Sequence, residues 1–391
     1  MSQRDRLTWG LYLLIGALAV LQAGVGGLLP YLQAELGLTH TLGAAHVTAL
    51  SAGGLLAGLL AERLRRRLGR APMLLGVVAV SLVGALALAT AASPWQSVPA
   101  LLLVGAAVGG ALVVGQSLLV ARGGEAAPRL IGEFNLAYAL GAVTSMVALP
   151  LLARASWRGL PLLEGGLLLL LVAPLLLRAR ELAARAPEGG GRTGSGGWTL
   201  ARPRTALAAM CLCVAVEWSF LFWLTTYLVS VSGHERGTAA LVTSAMWLMV
   251  LVGRATGTVL LPRHGGARVL AGSLLLALLA VLALRQAEAV WLAVLAAGLA
   301  GAAAANLYPA SVALVVSGPG QADALVARAT LLSSATTVVF PLLIGRLADL
   351  VGLESAFWLV PATAVCALLV VRLSGPRRIL DPRPALEGGT L

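Results

Sequence analysis

Residues 216–228 read VEWSFLFWLTTYL, and the rest of the chain can be understood from this stretch. With its flanks from Thr205 to Ser230 it forms an apolar run long enough to cross a bilayer. A single carboxylate, Glu217, sits in its middle among Trp218, Phe220, Phe222, Trp223 and Tyr227. A charge near the bilayer centre costs at least ~2.5–3.5 kcal/mol on insertion scales, so such groups face a bundle interior or a water-filled cavity. Burial also disfavours the ionised form of an acid. Glu217 is therefore a candidate proton carrier, solute ligand, or both. The plainer role is a structural Glu hydrogen-bonded to a neighbouring helix.

Composition extends this reading to the whole chain. Its 391 residues are 59% apolar and 11% charged, with mean hydropathy +0.91. Twelve apolar spans of about 20 residues each fit near 9–32, 43–62, 72–92, 99–121, 131–153, 158–177, 205–230, 239–261, 267–285, 289–315, 325–347 and 355–373. The first begins almost at Met1 and is too long for a signal-peptide core, so it reads as a retained span. The net charge of +12 comes from 28 arginines, with no lysine. They lie in the breaks between spans, which points to membrane topology rather than nucleic acid. With the N-terminus inside, the inner segments hold 21 arginines and the outer loops five, Arg154, Arg158, Arg236, Arg285 and Arg346, while Arg254 and Arg328 fall within spans. By the positive-inside rule, both termini are expected in the cytoplasm of a cell inner-membrane protein. The cysteines, Cys211, Cys213 and Cys366, lie inside spans, and two are only two residues apart, which argues against a disulfide framework.

The long polar interruption, 178–204, contains GGGRTGSGG and reads as a flexible cytoplasmic linker. It separates an N-terminal bundle (1–177) from a C-terminal bundle (205–375), followed by a tail (376–391). The halves echo one another. Pro30-Tyr31-Leu32 and Thr226-Tyr227-Leu228 end spans 1 and 7; Gly54 and Gly58 match Gly253 and Gly257; Gly105 matches Gly298; Pro150 matches Pro341. The offsets lie between 191 and 199 and keep their order. The expected fold class is thus all-α membrane protein, twelve helices in two pseudo-symmetric six-helix bundles. Two such parallel repeats are the architecture of the major facilitator transporters.

Local motifs support the resemblance. Gly58-Leu-Leu-Ala-Glu62-Arg63-LRRRL-Gly69-Arg70 resembles the major facilitator signature G-x-L-a-D-R-x-G-R, with Glu for Asp and four additional residues. Four residues are about one helical turn, so an extended helix end keeps the phase. A plain arginine-rich topogenic loop is the alternative. Span 5 opens with Glu133-Phe134-Asn135 and continues through Tyr138 to Gly141-Ala142; span 8 contains Met246-Trp247 and Gly253-Arg254-Ala-Thr-Gly257. With VEWSFLFWLTTYL these segments resemble the fucose-permease-like branch of the superfamily. Sugar permeases of that branch carry acids on spans 1 and 4; here those spans offer Gln22, Gln116 and Ser117.

The resemblance implies a central cavity lined by spans 1, 4, 7 and 10. The substrate-binding candidates are Gln22, Gln116, Phe220, Tyr227, Asn306 and Tyr308, with Glu217 for proton coupling. On a helical wheel Phe220, Leu221 and Leu224 share the Glu217 face, Tyr227 is near its edge, and Trp218 and Trp223 lie off it. Asn306 could instead cap a backbone disturbed by Pro309, and Gln116 could serve as interhelical glue. Glu62, Arg63, Arg70, Glu133, Arg254 and Arg328 are the gating candidates. Glu62–Arg328 and Glu133–Arg254 are expected to close the cytoplasmic side. Glu217 and Arg254 differ by about 10 Å in depth at 1.5 Å per residue, so no permanent ion pair is expected between them. No metal set or cofactor motif is present in the sequence.

The expected function is secondary active transport of a small organic solute by alternating access. It would be a proton-coupled symport of a sugar-like or other polar metabolite, carried out by a monomer in the lipid bilayer. A proton-coupled exporter of organic cations or drugs is the alternative, because aromatics beside Glu217 suit an ammonium group. A polytopic enzyme acting on lipid would need a second reactive group at a membrane surface, and a sensor would need an output domain.

Overall fold

The structure, a computed structural model, describes residues 5–184, 203–316 and 322–374. These form twelve helices long and apolar enough to cross a membrane. We number them α1 (Arg6–Leu36), α2 (His40–Leu68), α3 (Arg70–Ala89), α4 (Pro94–Gly123), α5 (Ala127–Leu152) and α6 (Gly159–Leu167, then a π turn over Leu168–Val172 into Ala173–Ala184). The second set is α7 (Pro203–Ser230), α8 (Arg236–His264), α9 (Gly266–Leu284), α10 (Val290–Val316), α11 (Ala322–Val351) and α12 (Leu353–Ala356 and Leu359–Ser374). All twelve expected spans are present. The inferred linker and tail lie largely outside the described residues.

Local chemistry sets the helix ends. The Asp5 side chain accepts from the Thr8 N–H at 2.9 Å, and Thr39 from the Leu42 N–H at 3.2 Å, satisfying amides that have no helical partner. α2 continues through the arginine-rich run to Leu68, as the four additional residues require. Gly69 alone then links it to α3, with φ 81°. Gly265 joins α8 to α9 in the same way, with φ 76°. Only glycine adopts such left-handed angles without strain.

Those two glycines are 196 residues apart, and helix packing repeats at the same offset. A Cβ on Gly105 of α4 would overlap the Leu50 carbonyl of α2. One on Gly301 of α10 would overlap the Met246 carbonyl of α8. This corrects the sequence pairing of Gly105 with Gly298: by position against the facing helix, the equivalent of Gly105 is Gly301. Glycines at these points let the backbones approach closely, the usual solution where lipid supplies no hydrophobic drive between helices.

Two six-helix bundles result, α1–α6 and α7–α12. Chain direction alternates, so α1 begins and α12 ends on one side, here termed the near face; the opposite side is the far face. α1 and α7 are the most enclosed spans and meet at the bundle interface. A Cβ at Gly26 would overlap the Leu221 carbonyl. The flanking seams are α2 against α11 and α5 against α8.

The seams are tied at the far face. The backbone N–H groups of His40 and Thr41, in the first turn of α2, donate to the Asp349 carboxylate of α11 at 2.7 and 2.9 Å. Gly345 packs on the His40 carbonyl, the Arg236 guanidinium lies 5.9 Å from the Tyr31 ring, and His40 lies 6.1 Å from Trp223. Deeper in, the Thr48 hydroxyl donates to the Val338 carbonyl at 2.8 Å, and Tyr138 meets Trp247 with ring centres 6.4 Å apart. These contacts tie the two bundles together at the far face and at mid-depth.

Candidate functional site

Glu217 lies halfway along α7 and is 5% exposed. Its carboxylate lies close enough to the backbone of Tyr308, the residue before Pro309 on α10, to be influenced by it. Proline has no N–H and clashes with the preceding turn, so the helix there departs from regular bonding. The second carboxylate oxygen, Oε2, is enclosed and has no hydrogen-bond partner. Arg254 of α8 is close enough for its charge to act on Glu217, yet the two form no ion pair. The Arg254 Nε is also enclosed without a partner, and the residue is half-buried. A guanidinium in that position would cost ~2.5–3.5 kcal/mol on insertion scales if it faced lipid. Its place between bundles avoids that.

Gln22 of α1 is half-buried, and its Oε1 is enclosed and unpartnered. α1 and α7 run parallel and touch at Gly26 and Leu221, which sets Gln22 one turn back at the depth of Glu217. An amide from one bundle and a carboxylate from the other thus share a level at the interface. Gln116 on α4 is half-buried and makes no side-chain hydrogen bond among the described residues. The Tyr308 side chain is 40% exposed. Asn306 donates its Nδ2 to the Gly253 carbonyl at 3.0 Å, and its Oδ1 occupies the space a Cβ on Gly257 would take. It ties α10 to α8 rather than capping its own helix.

Two cavity assignments are corrected. Phe220 and Tyr227 are fully buried and pack on Phe357 of α12, at 6.3 and 4.8 Å between ring centres. They belong to the interior of their own bundle. The face toward the other bundle carries Leu221, Phe222 and Trp223 instead, and Trp218 stacks on Phe222 at 4.9 Å. A wheel shows which residues share a face, but the crossing at Gly26 decides what that face meets.

The expected gate looks different in this conformation. Glu133 accepts from the Tyr12 hydroxyl at 2.9 Å and from Arg129 Nε at 3.1 Å, both within its own bundle, and does not pair with Arg254. The Glu62 side chain lies outside the described residues, so its pairing with Arg328 does too. Arg63 and Arg328 are exposed and Arg70 is half-buried. A near-face pair is expected only when that face closes.

Three residues absent from the sequence candidates stand out. Tyr138 of α5 lies against Trp247, and the charges of both Arg254 and Glu217 reach its hydroxyl. The Trp247 Nε1 is buried without a partner. Asp349 ties the two bundles at the far face. Tyr138 and Trp247 could have been found in the span 5 and span 8 segments; no local signal marks Asp349.

Residues 11–284 match the family model described as Major Facilitator Superfamily. The chain belongs to the major facilitator superfamily. No curated protein matches it. Solved major facilitator structures share its fold across almost their whole length. The nucleoside transporter NupG superposes with TM-score 0.77 at 13% identity, covering 95% of this chain and 100% of that one. A D-xylose–proton symporter gives 0.73 at 15% identity, covering 95% and 98%. A bacterial homologue of the human lysosomal transporter Spinster, inward-facing and unoccupied, gives 0.66 at 17% identity, covering 95% and 98%.

Proposed function

We propose that this major facilitator protein carries a small polar organic solute across the cell inner membrane by proton-coupled symport. The near face is cytoplasmic, with both termini on that side. The carrying observation is Glu217: an acid buried at mid-membrane between bundles, with one oxygen lacking any protein partner. An unpartnered oxygen on a buried acid leaves room for a proton or a solute donor. The three segments that resemble the fucose-permease-like branch fit this reading. So do a D-xylose–proton symporter and a nucleoside transporter among the structural relatives. Alternating access then requires the far-face ties to break as near-face contacts form.

The test is Glu217→Gln, which mimics the protonated acid at nearly equal volume. In proteoliposomes the variant is expected to lose accumulation driven by a proton gradient while keeping counterflow exchange. Full gradient-driven accumulation would reduce Glu217 to a structural residue.

A further inference from the structure

Between the bundles, Arg254 carries a positive charge that no carboxylate among the described residues takes up directly. Glu133, its expected partner, is engaged by Tyr12 and Arg129. Glu217 acts on it only from beyond ion-pair distance. Trp247 precedes Arg254 by seven residues, so the two share a face of α8, and its N–H is also unpartnered. The Tyr138 ring packs on Trp247, and its hydroxyl senses Arg254. Two donors on one face of α8, beside Tyr138 of α5, are therefore left without an acceptor among the described residues.

We propose that the transported solute is a monocarboxylate, its carboxylate anchored by the Arg254 guanidinium and the Trp247 N–H. This rests on the transport reading above and names its substrate class. A guanidinium presents two parallel N–H groups that match the two oxygens of a carboxylate. Coupling to protons follows from the charge count. With Glu217 ionised, the site contains one positive and one negative charge. Protonating Glu217 removes the negative charge that acts on Arg254, and a carboxylate then restores the balance. Proton and anion load together, and the empty carrier returns with Glu217 ionised. The titratable or charged groups that face Glu217 are Arg254, Tyr138, Tyr308 and, on its own helix, Cys213; of these Arg254 supplies the charge.

The experiment uses the purified full-length protein and three matched pairs of probes: lactate and lactamide, mandelate and mandelamide, gluconate and glucose. Thermal unfolding in detergent reads binding. At least one carboxylate is expected to raise the unfolding temperature, more at pH 5.5 than at pH 7.5, and its uncharged partner is expected to do nothing. Arg254→Gln should abolish this protection. Arg254→Lys, which keeps the charge but loses the fork, should weaken the apparent affinity about tenfold. Glu217→Gln should bind the carboxylate with no such pH dependence. Three results would each overturn the assignment: no protection by any carboxylate, equal protection by an uncharged partner, or protection that survives in Arg254→Gln. A neutral solute carried with protons would sink the carboxylate while leaving the transport reading intact. That reading fails separately, if Glu217→Gln accumulates solute normally.

Discussion

Asn306 and Gly257 show how tightly single residues are fitted around the site. The Asn306 amide fills the space above Gly257 and bonds to the Gly253 carbonyl, so α10 and α8 are joined two residues from Tyr308, which lies near Glu217. A Cβ at Gly257 would drive the amide out. Gly257→Val is expected to lose this bond and add overpacking, a destabilisation of about 2–4 kcal/mol. Asn306→Ala loses only the bond, about 1 kcal/mol. Thermal unfolding of the two purified variants checks the order, and equal unfolding temperatures would refute it. Glu217 was legible in the sequence because it is a lone acid in an apolar run. Phe220 and Tyr227 were misplaced because periodicity groups residues onto a face without saying which neighbour that face meets.

At the scale of helices, the contact of Asp349 with the start of α2 is the clearest two-state device. The first amides of a helix have no internal acceptors and carry a partial positive charge, and a carboxylate satisfies both. Here that carboxylate comes from the other bundle, so the cap exists only while the far face is closed. Removing an N-cap costs about 1 kcal/mol. Asp349→Ala is therefore expected to shift the population toward the far-open state about fivefold. Spin-label distances across the far face should lengthen; an unchanged distribution would show that the cap does not hold the seam. The close approaches at Gly105 and Gly301 make a matched pair of predictions. Because each glycine faces a backbone carbonyl rather than a movable side chain, Gly105→Leu and Gly301→Leu should both fail to yield a stable protein. Fluorescence-detected size exclusion would show loss of the monodisperse peak, and a normal peak for either variant would contradict the packing.

For the whole molecule, the arginine bias makes a topological prediction. Once Cys211, Cys213 and Cys366 are replaced, a cysteine at Ser232, between α7 and α8, should react with an impermeant maleimide in intact cells. One at His264, at the other end of α8, should react only after permeabilisation. The reverse pattern would invert the orientation. Span number, two-fold repetition and the acid at mid-membrane were all written in local composition, because bilayer thickness and the cost of burying charge act on each segment separately. The 196-residue repeat was visible in outline at the ends of spans 1 and 7, but matching glycines by type alone paired Gly105 with Gly298. Contact with the facing backbone identifies Gly301. Which aromatics face the other bundle and the pairing of Asp349 with the start of α2 depend on residues about 200 to 300 positions apart meeting at helix crossings. Neither helical periodicity nor hydropathy contains that information, because both describe a segment in isolation and a crossing is a property of two.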